Sequence, residues 1–474
     1  MDYLELIQRL AEPLGPDLEI QEGPTVRVRR PEALRERIEL LVRKAVLSSE
    51  PERSAAQWLI RSTALELGIL PASIHDLYMA RGRGEVSDRF TVPAMNLRAL
   101  PFFAARSVFR AAGRIDANAL IFEIARSEMG YTAQSAAEYA ASILAAAIAE
   151  GYHGPVFIQG DHFQVSAKQY AKQPEAEVEA IRVLAREAVR AGFFNIDIDT
   201  STLVDLSRPN IPEQQEVNYK LCAELASYAR QLEPEGVTIS LGGEIGEVGG
   251  HNSTEPELRA FMEGLNDRLR ELAPQAAGLS KISIQTGTSH GGIVLPDGSM
   301  AKVKVDFDTL ARLSRVAKEY GMGGAVQHGA STLPEEAFGQ FVEAGALEVH
   351  LATNFQNILY DHLDNGLLHE IYAYLAQHHG DERKRTLTDD QFFYGARKRA
   401  IGPFKRQMWD MPGEAREGIQ IAWEQQFNRL FQNLSIAGTR EFVDRHVVPL
   451  RIEVPLRDYL GEKALSEAGA DLAD

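Results

Sequence analysis

From Phe90 onward the chain repeats one unit, a short apolar run followed by a longer amphipathic stretch. The runs are Phe90–Met95, Ala119–Ile124, Pro155–Gly160, Phe193–Asp199, Val237–Leu241, Lys281–Gln285, Gly324–His328 and Leu347–Leu351. Most are flat rather than alternating, which predicts parallel strands covered on both faces. Between them, Glu175–Ala191, Asn218–Leu232, Asp306–Tyr320 and Pro334–Ala344 carry the three-to-four-residue apolar spacing of helices. Eight such units fit an α/β fold of the (β/α)8 (TIM) barrel type, whose usual size is ~250 residues. An open doubly wound sheet binds phosphate at a glycine-rich first βα turn. No G-x-G-x-x-G follows the first run here, which favours the barrel.

The flanks have a different texture. Residues 1–88 read as a helical N-terminal extension, with amphipathic stretches at Glu32–Ala45 and Ser54–Leu67, the second stopped by Gly68. Arg81–Glu85 reads as a flexible polar link into the barrel, residues 89–376, which carries the catalytic positions. Residues 377–474 read as a mainly helical C-terminal extension, with a long helix over Glu414–Leu434 and a short strand or extended arm at Pro449–Pro455. The Arg397–Arg399 run, like Arg383 and Lys384, could reach a distal phosphate, but it reads first as a solvated face.

Charge and cysteine content narrow the function classes. With 50 Lys and Arg against 67 Asp and Glu, the net charge is −17, which argues against a nucleic-acid binder. The single cysteine, Cys222, excludes a disulfide framework and a thiolate cluster, so a metal here must be held by histidine and carboxylate. No apolar run reaches the ~18 residues of a membrane helix. The opening MDYLELIQRL lacks a basic leader, so a soluble, cytoplasmic chain without membrane partners is expected.

In a barrel of this kind, function sits where strands end. The third run leads into Asp161-His162, the sixth reaches His290, and the seventh ends at His328. Imidazole is the commonest ligand of divalent metals, and three protein ligands with an open position mark a catalytic rather than a structural site. Asp161, beside one candidate ligand, can exchange a proton with a substrate hydroxyl. The fourth run ends in Asp199-Thr-Ser201, the fifth leads to Glu244 and His251-Asn252, and the eighth carries His350 before Thr353-Asn354.

These motifs, in this order, resemble the metal-dependent class II ketose-bisphosphate aldolase family over about residues 90–365. The resemblance rests on Asp161-His162, Ile198-Asp199-x-Ser201, Glu244-x-Gly-x-x-Gly-Gly250, Gly287-Thr-x-His290-Gly291, His328-Gly329-x-Ser331 and Thr353. It implies zinc, or another divalent metal such as Co2+ or Mn2+, on His162, His290 and His328. It implies Asp161 as the proton acceptor from the C4 hydroxyl and Glu244 as the acid near an alternative metal position. Gly291, Gly329, Ser331 and Thr353 would cradle phosphate, with Asp199, His350 and Asn354 completing the substrate-facing set. The implied activity is reversible aldol cleavage of a ketose phosphate, such as fructose or tagatose 1,6-bisphosphate, in carbohydrate metabolism such as glycolysis. The expected assembly is a homo-oligomer, a dimer or tetramer.

The chain also departs from that family. His251-Asn252 stands where the family places the acid that shuttles the donor's proton, which makes His251 a candidate base. His350 replaces an asparagine and Ala352 an acid in the segment after the eighth strand, and the family's Tyr-Lys after the sixth is absent. These changes keep two alternatives open: a sugar-phosphate epimerase on the same metal site, or a non-catalytic subunit of an aldolase complex.

Overall fold

The computed structural model describes residues 3–21, 25–246, 251–287, 305–331, 333–384 and 386–460. Eight parallel strands close into a barrel: β4 (Val92–Asn96), β5 (Ile121–Ala125), β6 (Gly154–Gln164), β7 (Asn195–Asp199), β8 (Ser240–Glu244), β9 (Lys281–Ile284), β10 (Ala325–Gln327) and β11 (Glu348–Leu351). The ring shuts where β11 pairs with β4, in the register Glu348↔Val92 to Leu351↔Met95. Every residue of β4, β5, β7, β8, β9, β10 and β11 is buried. That two-sided burial is why these strands read as flat apolar runs. Helices return the chain between strands, including Pro174–Ala191, Ile211–Gln231, Glu255–Leu272 and Phe307–Glu319.

The residues before the barrel are less purely helical than the sequence suggested. Helices Pro31–Leu47 and Glu52–Glu66 are present, and Gly68 takes the positive φ of a helix stop. A hairpin of β1 (Leu18–Gln21) and β2 (Thr25–Val28) precedes them, and β3 (Ile69–Ala72) follows. β3 pairs in parallel with Gly154–Phe157, the first residues of β6, before β7 takes up that edge at Gln159. The expected polar link at Arg81–Glu85 is corrected as well. The helix His75–Gly82 runs into it, and Arg81 is buried, donating to the carbonyls of Phe90 at 2.6 Å and Ala346 at 2.9 Å. Three guanidinium hydrogen bonds to backbone carbonyls around the barrel floor satisfy an otherwise costly buried cation.

The long C-terminal helix spans Gly413–Asn433 and lies along the helix Pro101–Gly113. Trp423 is buried there and donates its indole N–H to the carbonyl of Phe355 at 2.9 Å. Residues 448–455 form an extended arm without strand pairing, which leads into a short helix at 456–460. It returns to the N-terminal residues, where Trp58 Nε1 donates to the Val454 carbonyl at 2.9 Å. Among the described residues, no helix is long and apolar enough to cross a membrane.

Candidate metal and substrate site

The site is built on an irregularity in β6. The strand's register against β7 shifts between Gly160 and Phe163, a bulge that re-aims the two residues between them. His162 sits at φ 41°, a left-handed conformation that costs a non-glycine residue energy and concentrates at functional sites. Gly160 makes the bulge feasible, since a Cβ there would lie 2.3 Å from the Phe163 ring. The result turns both Asp161 and His162 into the barrel mouth.

His162 and His328 converge, with ring centroids 4.2 Å apart. His162 Nδ1 faces Asp199 Oδ2 at 3.0 Å and Glu244 Oε2 at 3.2 Å, while Nε2 faces Asp161 Oδ1 at 3.7 Å. His328 is oriented by Ser283, whose hydroxyl lies 2.9 Å from Nε2, and its Nδ1 stands 3.9 Å from Asp161 Oδ1. Of three candidate ligand sets among the described residues, two lie at this mouth and share His162, Asp161–His162–His328 and His162–Asp199–Glu244, each with donor atoms within 4.8 Å of one another; the third is Glu123–Asp197–Glu348–His350. The third expected ligand, His290, lies outside the described residues, as does Gly291.

The electrostatics favour a cation at this point. Burial and the Asp199 charge push the Glu244 carboxyl up to about 8. Burial opposes charge on His162, yet Asp161 and Glu244 hold its imidazole well above the ordinary histidine range. Three buried acid groups crowd one imidazole, so a divalent ion bound there would favour the ionised form of Glu244 and offset the negative charge of the set.

The cavity at this mouth has a volume of about 550 Å³. Asp161, His162, Glu244, His328, Gly329, Ser331, His350 and Thr353 all line it, so most of the expected positions come together. Ser331 Oγ accepts a hydrogen bond from the Ala352 N–H at 2.6 Å, tying the loop after β10 to the N-terminus of the helix Thr353–Asp361. Asn354 and Asp199 are not among the lining residues, and Asp199 instead holds His162 and Ser201. His251 is not among the lining residues either: its side chain is 56% exposed and its Nε2 lies 2.7 Å from Glu257.

Several lining residues were not foreseen. Asn96, Arg98, Arg126, Glu128, Tyr131 and Lys398 also line the cavity. Lys398 comes from the run that the sequence suggested was a solvated face. Beneath the mouth lies a buried charged layer of Glu123, Asp197, Lys281 and Glu348. The available signal was a charged residue inside an apolar strand run, as in Ile121-Phe-Glu123-Ile.

Comparisons with known proteins follow the same line. A family model described as class-II fructose-bisphosphate aldolase matches residues 86–409. No curated protein matches. Among solved structures, the two-glycerol complex of a fructuronate-tagaturonate epimerase from Cohnella laeviribosi aligns at 11% identity and TM-score 0.51, over 74% of this chain and 82% of that one. A probable tagatose 6 phosphate kinase from Sinorhizobium meliloti aligns at 14% identity and TM-score 0.50, covering 75% and 99%. A fructose-bisphosphate aldolase from Campylobacter jejuni aligns at 15% identity and TM-score 0.43, covering 76% and 93%. At such identities the first two likenesses speak to fold alone, and nothing is drawn from the third.

Proposed function

The chain belongs to the class II fructose-bisphosphate aldolase family, and from that membership we propose that it catalyses metal-dependent, reversible aldol cleavage of a ketose phosphate. The products are dihydroxyacetone phosphate and an aldehyde, and the preferred candidates are fructose and tagatose 1,6-bisphosphate. The observation that carries this reading is the placement of the Asp161 carboxylate between His162 and His328 at the floor of a polar cavity.

His162 and His328 would hold the metal, with a carboxylate of the surrounding set and, by family resemblance, His290. Zinc suits nitrogen and oxygen donors of this kind, and Co2+ or Mn2+ are alternatives. Bound there, the metal supplies a Lewis acid for the charge that develops as the C3–C4 bond breaks. The chain's own contribution is proton transfer and positioning. Asp161 takes the C4 hydroxyl proton in cleavage and returns it to the aldehyde oxygen in condensation. Its opposite oxygen, Oδ2, accepts from Asn96 Nδ2 at 2.9 Å, which fixes the plane of the carboxylate. Gly329, Ser331 and the helix start at Thr353 offer amides and hydroxyls to one phosphate. Arg98, Arg126 and Lys398 add cations to the cavity lining. Arg98 and Arg126 are tied to Glu128 and Glu177 at 2.6 and 2.5 Å, so Lys398 carries the least compensated charge of the three.

The test is product identity with metal-reconstituted protein. Coupled detection should show triose phosphate released from one or both bisphosphates, and activity should be lost with chelator. One observation favours a second reading, C4 epimerisation by cleavage and re-addition. His251, at the family's place for protonating the three-carbon donor, is paired with Glu257 at 2.7 Å, which would slow that protonation. A donor that is not protonated stays able to add back to the aldehyde's other face. A C4-epimerised ketose without free triose would replace aldolysis with that reading.

A further inference from the structure

The barrel floor carries a chain of contacts from the N-terminal residues to Asp161. Tyr78, on the helix His75–Gly82, is fully buried and donates its hydroxyl proton to Glu348 Oε2 on β11. The other oxygen of Glu348 accepts from Lys281 Nζ at 2.6 Å, Gln159 Nε2 at 3.0 Å and His350 Nε2 at 2.6 Å. Four donors on one buried carboxylate leave it no alternative orientation. His350, held at Nε2, presents Nδ1 to Asp161 Oδ1 at 3.2 Å and to Glu123 Oε2 at 3.1 Å. Its ring also packs against His328, with centroids 4.0 Å apart. Of the three imidazoles around Asp161 Oδ1, His350 is the nearest; His162 stands at 3.7 Å and His328 at 3.9 Å.

We infer that Tyr78 is a positioning residue for the proposed proton transfer, acting through Glu348 and His350 on the Asp161 carboxylate. The segment before the barrel is then part of the catalytic unit and more than a covering layer. The geometry has a simple logic. Asn96 fixes one oxygen of Asp161 from the side, and His350 faces the other from below. Glu348 holds the ring at Nε2, opposite the Asp161 and Glu123 contacts at Nδ1, so a turn of Glu348 is passed to the Nδ1 side. Lys281, Gln159 and His350 all load Oε1 of Glu348, so Tyr78 is the one described donor on Oε2 and sets the rotation of that carboxylate. Small displacements at a proton-transfer site are costly, with a ~1 Å misplacement capable of ~100-fold rate loss.

The inference rests on the proposed role of Asp161, so its test carries one readout that needs no turnover. Tyr78→Phe removes a single hydroxyl and keeps the ring. Trp58→Phe removes the contact to Val454, weakening the same segment away from the barrel floor. Crystal structures of both variants and steady-state kinetics of the metal-loaded proteins are compared with the wild type. Tyr78→Phe should leave metal content unchanged, displace or split the Asp161 carboxylate, and lower kcat about tenfold with KM within about twofold. Trp58→Phe should lower Tm while leaving Asp161 and kcat in place. An undisturbed Asp161 in Tyr78→Phe, or a displaced one with unchanged kcat, overturns the inference. If the wild type turns over no ketose phosphate, the aldolase reading fails. A displaced Asp161 in Tyr78→Phe would then still support the structural coupling.

Discussion

His162 Nδ1 lies 3.0 Å from Asp199 Oδ2, and Asp199 is itself fixed by Gln164 Nε2 at 2.5 Å and Ser201 Oγ at 2.7 Å. The carboxylate thereby selects the ring nitrogen that faces the cavity. Such partners set tautomer and ring orientation of a metal-bound histidine, and their loss typically costs 10–100-fold in metal affinity. Asp199→Asn is therefore expected to weaken divalent metal binding by about that factor, read by competition with a calibrated chelator. Unchanged affinity would show that His162 is oriented by the bulge alone.

Asp161→Asn separates proton transfer from metal retention. The variant keeps the shape of the side chain and the Asn96 contact while removing the basic oxygen. Metal content at saturation should stay near the wild-type value, with kcat reduced by roughly 10²–10⁴. Loss of the metal along with activity would make Asp161 a ligand instead.

Lys398 should act on substrate binding rather than on chemistry. Its ammonium has no carboxylate partner among the described residues, and Tyr131 and Arg98 are its neighbours on the cavity wall. Hydrogen bonds to charged groups are worth about 1.5–3 kcal/mol. Lys398→Met should raise KM for a bisphosphate by roughly tenfold or more with kcat little changed, and Lys398→Arg should recover part of the loss. Equal kinetics across the three proteins would return this lysine to the solvated surface.

Gly160→Ala tests the bulge. The added methyl meets the Phe163 ring at 2.3 Å, so strand or ring must move. Overpacking of this kind costs about 1–3 kcal/mol. A lower Tm together with weaker metal binding is expected, because the same movement shifts His162. A destabilised protein with full metal affinity would show that the ligand geometry survives without the bulge.

His75, buried at the start of the floor helix, predicts an acid-sensitive stability. Burial first, and then the Arg230 and Arg83 charges, push its imidazole down to about 4 from an unfolded value of 6.5. A group depressed on folding contributes its full stability above the unfolded value and loses it as pH falls toward the folded one. The vulnerable window is thus pH 6.5 down to about 4, with a loss of about 3 kcal/mol across it. His75→Gln should flatten this limb of a Tm-against-pH curve. Parallel curves for variant and wild type would assign the acid limb to other groups.

The sequence by itself determined the barrel. All eight strands lie within a few residues of the apolar runs that predicted them, because strands buried on both faces have little choice but to be apolar throughout. It also determined which residues stand at the mouth, since a strand's end fixes where the next residues emerge, and Asp161, His162, Glu244, His328, His350 and Thr353 all face one cavity. Tertiary structure decided what these residues touch. His251 follows the correct strand, but its Nε2 pairs with Glu257 and it is not among the residues that line the cavity. Tyr78, Glu348 and Asp161 are 270 and 187 positions apart along the chain in successive steps, too far for any local pattern to pair them. Their coupling exists only because closing the barrel over the N-terminal helix leaves a buried carboxylate needing every donor within reach.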